Sequence, residues 1–281
     1  MELAKFDSTL VYQKTAPVEL IRQDLIQLRG YDKTHEKSAK RWLTIALLCM
    51  PLTIAGLILF WPAGVVTVVV MIVSFLIYGH HANRNIEDRR YETANNVLFL
   101  IGHDIGKDVP VNVTIDLRPT THASKLKNTG KVGVWSVKYF DDPWLSVSGK
   151  LLDGTSFDCS LTDMLQKKSA WKRGRSGKNK YKSKEKSRLR ADLRLRVKAK
   201  EYPGLETVAA NAREAIKTPY LVEVRDFSCA DCTLKLATES KAPWDSKLRM
   251  ETGSPNRSGP EIVSMMFLSL YQILNFARQA K

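Results

Sequence analysis

Ser187–Lys200 reads SRLRADLRLRVKAK, and its period decides what kind of domain this chain builds. By propensity alone, Arg, Leu, Ala and Lys favour a helix. The apolar residues Leu189, Ala191, Leu193, Leu195, Val197 and Ala199 nevertheless recur at every second position. They would smear around a helix but share one face of a strand. A strand over the whole stretch is therefore predicted. Arg188, Arg190, Arg194, Arg196, Lys198 and Lys200 then project from its other face, alternate side chains about 6.8 Å apart.

The residues just upstream give that strand its electrostatic setting. From Lys167 to Lys200 there are sixteen Lys and Arg against two acids, Glu185 and Asp192, so this segment holds nearly all of the formal net charge of +15. KKSAWKRGRSGKNKYKSKEK is rich in Gly and Lys and poor in apolar residues. It reads as the mobile tip of an arm, 167–200, whose return limb is the strand. Lys172, Arg173, Arg175, Lys178, Lys180 and Lys182 join the six cations of the strand as candidate anion-binding residues. Trp171 and Tyr181 are the candidate aromatic contacts, suited to a lipid headgroup layer or to stacking on bases. A third reading is a solvated face whose like charges keep an exposed strand from self-pairing.

Outward from the arm, VPVNVTIDL and KVGVWSVKYF alternate with period two, the second ending at a turn expected at Asp141-Asp142-Pro143. WLSVSGKLLDGTSFDCSL gives two strands joined by Asp153-Gly154, a strong hairpin signal. GLETVAANAREAIKTP is a predicted helix, YLVEVRDF, TLKLATES and KLRMET are predicted strands, and PEIVSMMFLSLYQILNFARQAK is a predicted amphipathic helix laid on the sheet.

A different kind of segment stands before these. Leu43 to Gly79 contains no Asp, Glu, Lys or Arg, long enough for two spanning helices of about 20 residues broken at Trp61-Pro62-Ala63-Gly64. Lys33, Lys37, Lys40 and Arg41 flank one side, and Arg84, Arg89 and Arg90 the other, which by the positive-inside rule places both termini in the cytoplasm and the anchor in the cell's inner (plasma) membrane. Small residues form a stripe on each helix, Cys49, Thr53 and Gly56 facing Gly64, Thr67 and Ser74. TAPVELIRQDLIQLRG reads as a short helix capped by Thr15 and stopped by Gly30. HHANRNIEDRRYETANNVLFLIG reads as a continuation of the second helix into a stalk, with His80 and His81 facing different ways.

The chemistry of catalysis is sparse. There is no Gly-rich phosphate loop, no HExxH and no GxSxG. Cys229 and Cys232 form the only CxxC and are weak metal candidates, since a structural zinc site needs four ligands. The expectation is a membrane-anchored α+β protein organised as follows: residues 1–41 a cytoplasmic segment, 42–79 a transmembrane helical hairpin, 80–106 a helical stalk, and 107–281 a cytoplasmic antiparallel β-rich domain, a curved sheet or small barrel with a C-terminal packing helix. The expected function is non-enzymatic, without cofactor. The basic arm docks anionic lipid headgroups first and nucleic acid second, and the hairpin offers a surface for homo-oligomerisation. The alternative is a membrane effector whose β domain senses a small molecule and whose hairpin oligomerises to perturb the bilayer.

Overall fold

The computed structural model describes residues 6, 8–82, 86–173, 177–210, 212–248 and 256–279. In chain order its elements are β1 (Val11–Pro17), α1 (Val18–Leu59), α2 (Trp61–Ala82), α3 (Asp88–Ile101), β2 (Pro110–Asp116), β3 (Leu126–Val132), β4 (Trp135–Lys150), β5 (Ser156–Arg173), β6 (Asn179–Arg196), α4 (Leu205–Ala210), β7 (Val222–Ala230), β8 (Thr233–Ser240), β9 (Trp244–Asp245), β10 (Arg257–Ser258) and α5 (Gly259–Gln279). They form two compact units, Asp24–Asp88, and Met1–Gln23 together with Arg89–Lys281.

In the helical unit, α1 and α2 pack through their small residues. Ala46, Cys49, Thr53, Gly64 and Ser74 are buried. A Cβ added to Gly64 would lie 2.6 Å from the Leu57 backbone nitrogen, so the close approach of the two helices at their turn requires glycine there. The buried hydroxyls cost little, because Thr53 and Ser74 donate to the carbonyls of Cys49 and Val70 one turn back, each at 2.8 Å. The large side chains point the other way: Ile58 is 77 % exposed, Leu59 84 % and Trp61 69 %. Both helices are long and apolar enough to cross a membrane. Gly30 does not stop the first one, which runs unbroken for 42 residues. Glycine in a helix interior costs about 1 kcal/mol, too little to end a helix that continues into a long apolar run.

Where the charged ends of this unit meet, two pairings stand out. His35 Nδ1 and His81 Nδ1 are 2.9 Å apart, one donating to the other, and the His80 ring stands edge-on to His81. Asp32 is buried, accepts the Ile86 N–H at 3.0 Å and shares a hydrogen bond with Asp88. Burial and the Asp88 carboxyl together push the Asp32 carboxyl up to about 7. The folded state therefore holds a proton that the unfolded chain releases near pH 4. The stabilisation is full below that pH and is lost as pH rises toward 7, with a slope of at most about 1.4 kcal/mol per pH unit. Thermal unfolding of the full chain in detergent, followed by helical circular dichroism, should give a higher midpoint at pH 5 than at pH 8. Asp32→Asn should flatten that difference, and an unchanged pH response in the variant would refute the assignment.

The sheet unit is an eight-stranded antiparallel open sheet in the order β1-β2-β4-β5-β6-β8-β7, with β3 added to the outer half of β4. It is not a barrel, since the end strands β1 and β7 do not pair. One face carries the core: Val113, Ile115, Leu145, Val147, Cys159, Leu161, Leu193, Leu195, Leu234 and Leu236 are buried. α5 covers it with Ile262, Met266, Leu270, Ile273 and Ala277, and Phe267 meets Phe157 edge-on at 5.8 Å. Ser258 caps this helix by accepting the Glu261 N–H at 3.0 Å.

Several expectations fail for identifiable reasons. Thr15 caps no helix. It lies in β1, where its hydroxyl donates to Asn112 on β2. The second apolar helix does not run on into a stalk, because α2 ends at Ala82 and α3 starts afresh at Asp88. Arg84 lies outside the described residues, as do residues 249–252 of the predicted KLRMET strand, while Lys247 and Leu248 are not in a strand. KVGVWSVKYF is two strands, not one, with Gly133 at φ +59° turning β3 into β4. Asp141-Asp142-Pro143 is no turn. It lies inside the 16-residue β4, where the register with β5 shifts between Pro143 and Leu145. Pro143 has no N–H to give the ladder, so a bulge forms there, and burial changes phase from Asp142 and Trp144 to Leu145 and Val147.

Candidate anion-binding arm

The core ends, and the arm begins, at a knot of buried charge. Asp142 and Asp163 face each other across β4 and β5, and both are buried. Two adjacent carboxylates in that setting require cations. Arg90 of α3 supplies one, its Nη2 lying 2.7 Å from Asp142 and 3.7 Å from Asp163, and Lys125 Nζ lies 2.8 Å from the other Asp142 oxygen. Arg90 also donates to the carbonyls of Asp116 and Arg118 and to the Thr120 hydroxyl. Asp163 accepts the Trp244 indole N–H at 2.6 Å, and Trp244 stacks flat on Trp144 at 5.1 Å. Nearby, burial alone would raise the Asp116 carboxyl. Hydrogen bonds from the Arg118 side chain and backbone, with the Lys125 ammonium, outweigh that and hold it below the ordinary carboxylate value. Arg89 and Arg90, read from sequence as flank charges, are thus occupied: Arg89 lies over the Trp244 ring at 4.2 Å and 3.4 Å from Asp163.

Beyond this knot β6 loses its neighbour β8, whose last pairing is Leu189 with Ser240, and continues with β5 alone on that side. From Arg188 to Asn179 the hairpin projects about 30 Å at 3.3 Å per residue. The predicted mobile tip is therefore regular paired strand up to Arg173 and from Asn179, and Arg173 Nε donates to the Gly177 carbonyl at 3.1 Å. Arg175 lies outside the described residues.

Register sorts the arm into two faces. Lys168 and Lys172 of β5 share one face with Lys180, Lys182, Lys184 and Lys186 of β6. Trp171 and Tyr181, cross-strand partners, share the other and touch at 5.4 Å, 70 % and 56 % exposed. Trp135, which carried no role in the sequence reading, lies under the lysine face: Lys172 Nζ sits 4.5 Å and Lys184 Nζ 5.8 Å from its ring. Only the β-turn that pairs β3 with β4 brings it there, so the linear sequence carries no sign of the role. Lys184 and Lys186 were likewise passed over. Among the described residues, Lys178, Lys180 and Lys182 have no ion-pair partner.

The predicted strand cations do not form one continuous surface. Arg188 is bound to Glu239 at 2.6 Å, an acid it shares with Arg225, and Arg190 is bound to Asp192. Arg194 and Arg196 remain exposed on the body of the sheet. β6 stops at Arg196, so Lys198 and Lys200 lie in the following turn, where Lys198 pairs with Glu201 at 3.3 Å. Cys229 ends up in β7 and Cys232 in the β7–β8 turn, both as free thiols. Burial raises the Cys229 thiol above its ordinary value. Among the described residues no group of three or more His, Cys, Asp or Glu side chains is placed to hold a metal ion.

No family model, curated protein or solved structure matches this chain.

Proposed function

We propose that this is a non-enzymatic, membrane-anchored docking protein. The apolar part of α1 and the length of α2 cross a bilayer as a hairpin, both ends of the chain stay on the cytoplasmic side, and the arm tip engages anionic lipid headgroups. The observation that carries the reading is the arm tip itself, where Trp171 and Tyr181 are exposed in mutual contact between lysines that lack acid partners. A solvated strand guard needs the lysines but has no use for two exposed aromatic rings. A headgroup layer uses both: each nearby Lys or Arg contributes about 1 kcal/mol of attraction to an anionic leaflet, and the rings seat at the interface. The anchor holds the sheet unit at high effective concentration beside that leaflet.

The test uses the full chain in nanodiscs of phosphatidylcholine, with or without phosphatidylglycerol, and chymotrypsin as the probe of Trp171 and Tyr181. Docking predicts slower cleavage at both residues in the anionic discs, with the protection lost at high salt. Equal cleavage in the two lipids overturns the proposal. So does protection by a single-stranded oligonucleotide in zwitterionic discs with none from anionic lipid, which would assign the arm to nucleic acid.

A further inference from the structure

At the root of the arm, the sheet face opposite the core is hollowed into an open groove of about 720 Å³. Two irregularities in the ladder flank it, the register shift between Leu126 and Asn128 on β3 and the Pro143 bulge on β4. Bulges sharpen the local twist, and here they leave a trough rather than a flat sheet. Its floor is Tyr139 and Met164, half-buried side chains on adjacent strands. The amides of Asn128 and Gln166 line it, and Lys186 and Arg188 stand along one wall.

The charges there are arranged, not merely collected. Glu239 fixes the Arg188 guanidinium, and Asp141 holds Lys127 in an ion pair at the opposite wall. Lys186 is exposed and has no ion-pair partner among the described residues. A bulk anion needs no aromatic floor and would be repelled by the two carboxylates. A purely apolar ligand would leave Lys186 and the amides unused. The combination that uses every group is a planar ring on Tyr139, a hydrogen-bonding ring edge at Asn128 and Gln166, and a phosphate at Lys186 and Arg188. The groove's size falls in the range of small-molecule sites.

We infer that this groove binds a nucleoside phosphate. The site is separate from the arm tip and does not depend on docking to lipid.

The probe is ADP, titrated by equilibrium dialysis into the full chain in non-ionic detergent, with adenosine and inorganic pyrophosphate as the two halves of the ligand. Saturable ADP binding is expected, tighter than either half. Lys186→Ala should weaken it about 10-fold or more, the loss of one charge-assisted contact. Tyr139→Ala should abolish the preference for ADP over pyrophosphate, and Tyr139→Phe should preserve it. Gln166→Ala gives a second, exposed position at which a loss of ADP affinity supports the groove independently of Tyr139. The arm variant Lys180→Gln/Lys182→Gln should leave ADP affinity unchanged. Absence of saturable binding overturns the inference, as does pyrophosphate binding as tightly as ADP. Loss of ADP binding in the arm variant but not in Lys186→Ala also overturns it, by placing the anion at the tip.

Discussion

Asp142→Ala is expected to lower the stability of the sheet unit by about 3–5 kcal/mol, the usual cost of removing one partner from a buried ion pair. The substitution leaves Arg90 and Lys125 buried, with Asp163 at 3.7 Å and Asp116 at 3.3 Å as their nearest remaining acids. For a unit of this size the midpoint of thermal unfolding should fall by roughly 10 °C, at 2–4 °C per kcal/mol. The readout is the fluorescence of the stacked Trp144–Trp244 pair in the full chain, since that stack depends on Asp163 and sits beside the knot. Asp142→Asn, which keeps the shape but removes the charge, should lie between wild type and Asp142→Ala. Adding Arg90→Met to Asp142→Ala should recover only part of the loss, because Arg90 also satisfies the carbonyls of Asp116 and Arg118. A midpoint within about 2 °C of wild type for Asp142→Ala, the range expected of an ordinary surface change, would show that the knot does not hold the arm root in place.

The same residue explains which parts of the fold were legible in sequence and which were not. Strict alternation over Leu189–Leu195 identified β6, because a period-two pattern with one buried face has a single structural solution. The long uncharged run identified α1 and α2 for the same reason. Asp141-Asp142-Pro143 misled because Asp and Pro mark turns on average, while here a bulge absorbs the proline and α3 supplies a counter-ion from 52 residues away. No local pattern contains that partner. Gly30 misled in the opposite direction, since its weak helix-breaking tendency was outweighed by the apolar segment downstream. The aromatic and cationic residues of the arm tip were legible because they are adjacent in sequence. Trp135, Lys186 and the groove were not, because the β3–β4 pairing and two register shifts bring them together.

Neutralising the arm tip should erase docking without touching the fold. Lys172, Lys178, Lys180 and Lys182 all belong to the projecting hairpin, beyond any core, so their replacement by Gln should change stability by no more than about 0.5 kcal/mol. At about 1 kcal/mol each, four lysines at an anionic leaflet contribute about 4 kcal/mol, or roughly a thousand-fold in the docking equilibrium. Chymotryptic cleavage after Trp171 and Tyr181 remains possible in this variant because both rings are retained. In phosphatidylglycerol discs the variant should be cut as fast as wild type is cut in phosphatidylcholine. Replacing Arg194 and Arg196 by Gln should have a much smaller effect, because those side chains lie on the sheet body and not on the projecting hairpin. This contrast separates a site at the tip from a diffuse response to net charge, since two charges are removed in one case and four in the other. If the Arg194→Gln/Arg196→Gln variant loses protection as fully as the tip variant, the arm is not the docking element and attraction is set by the charge of the whole unit.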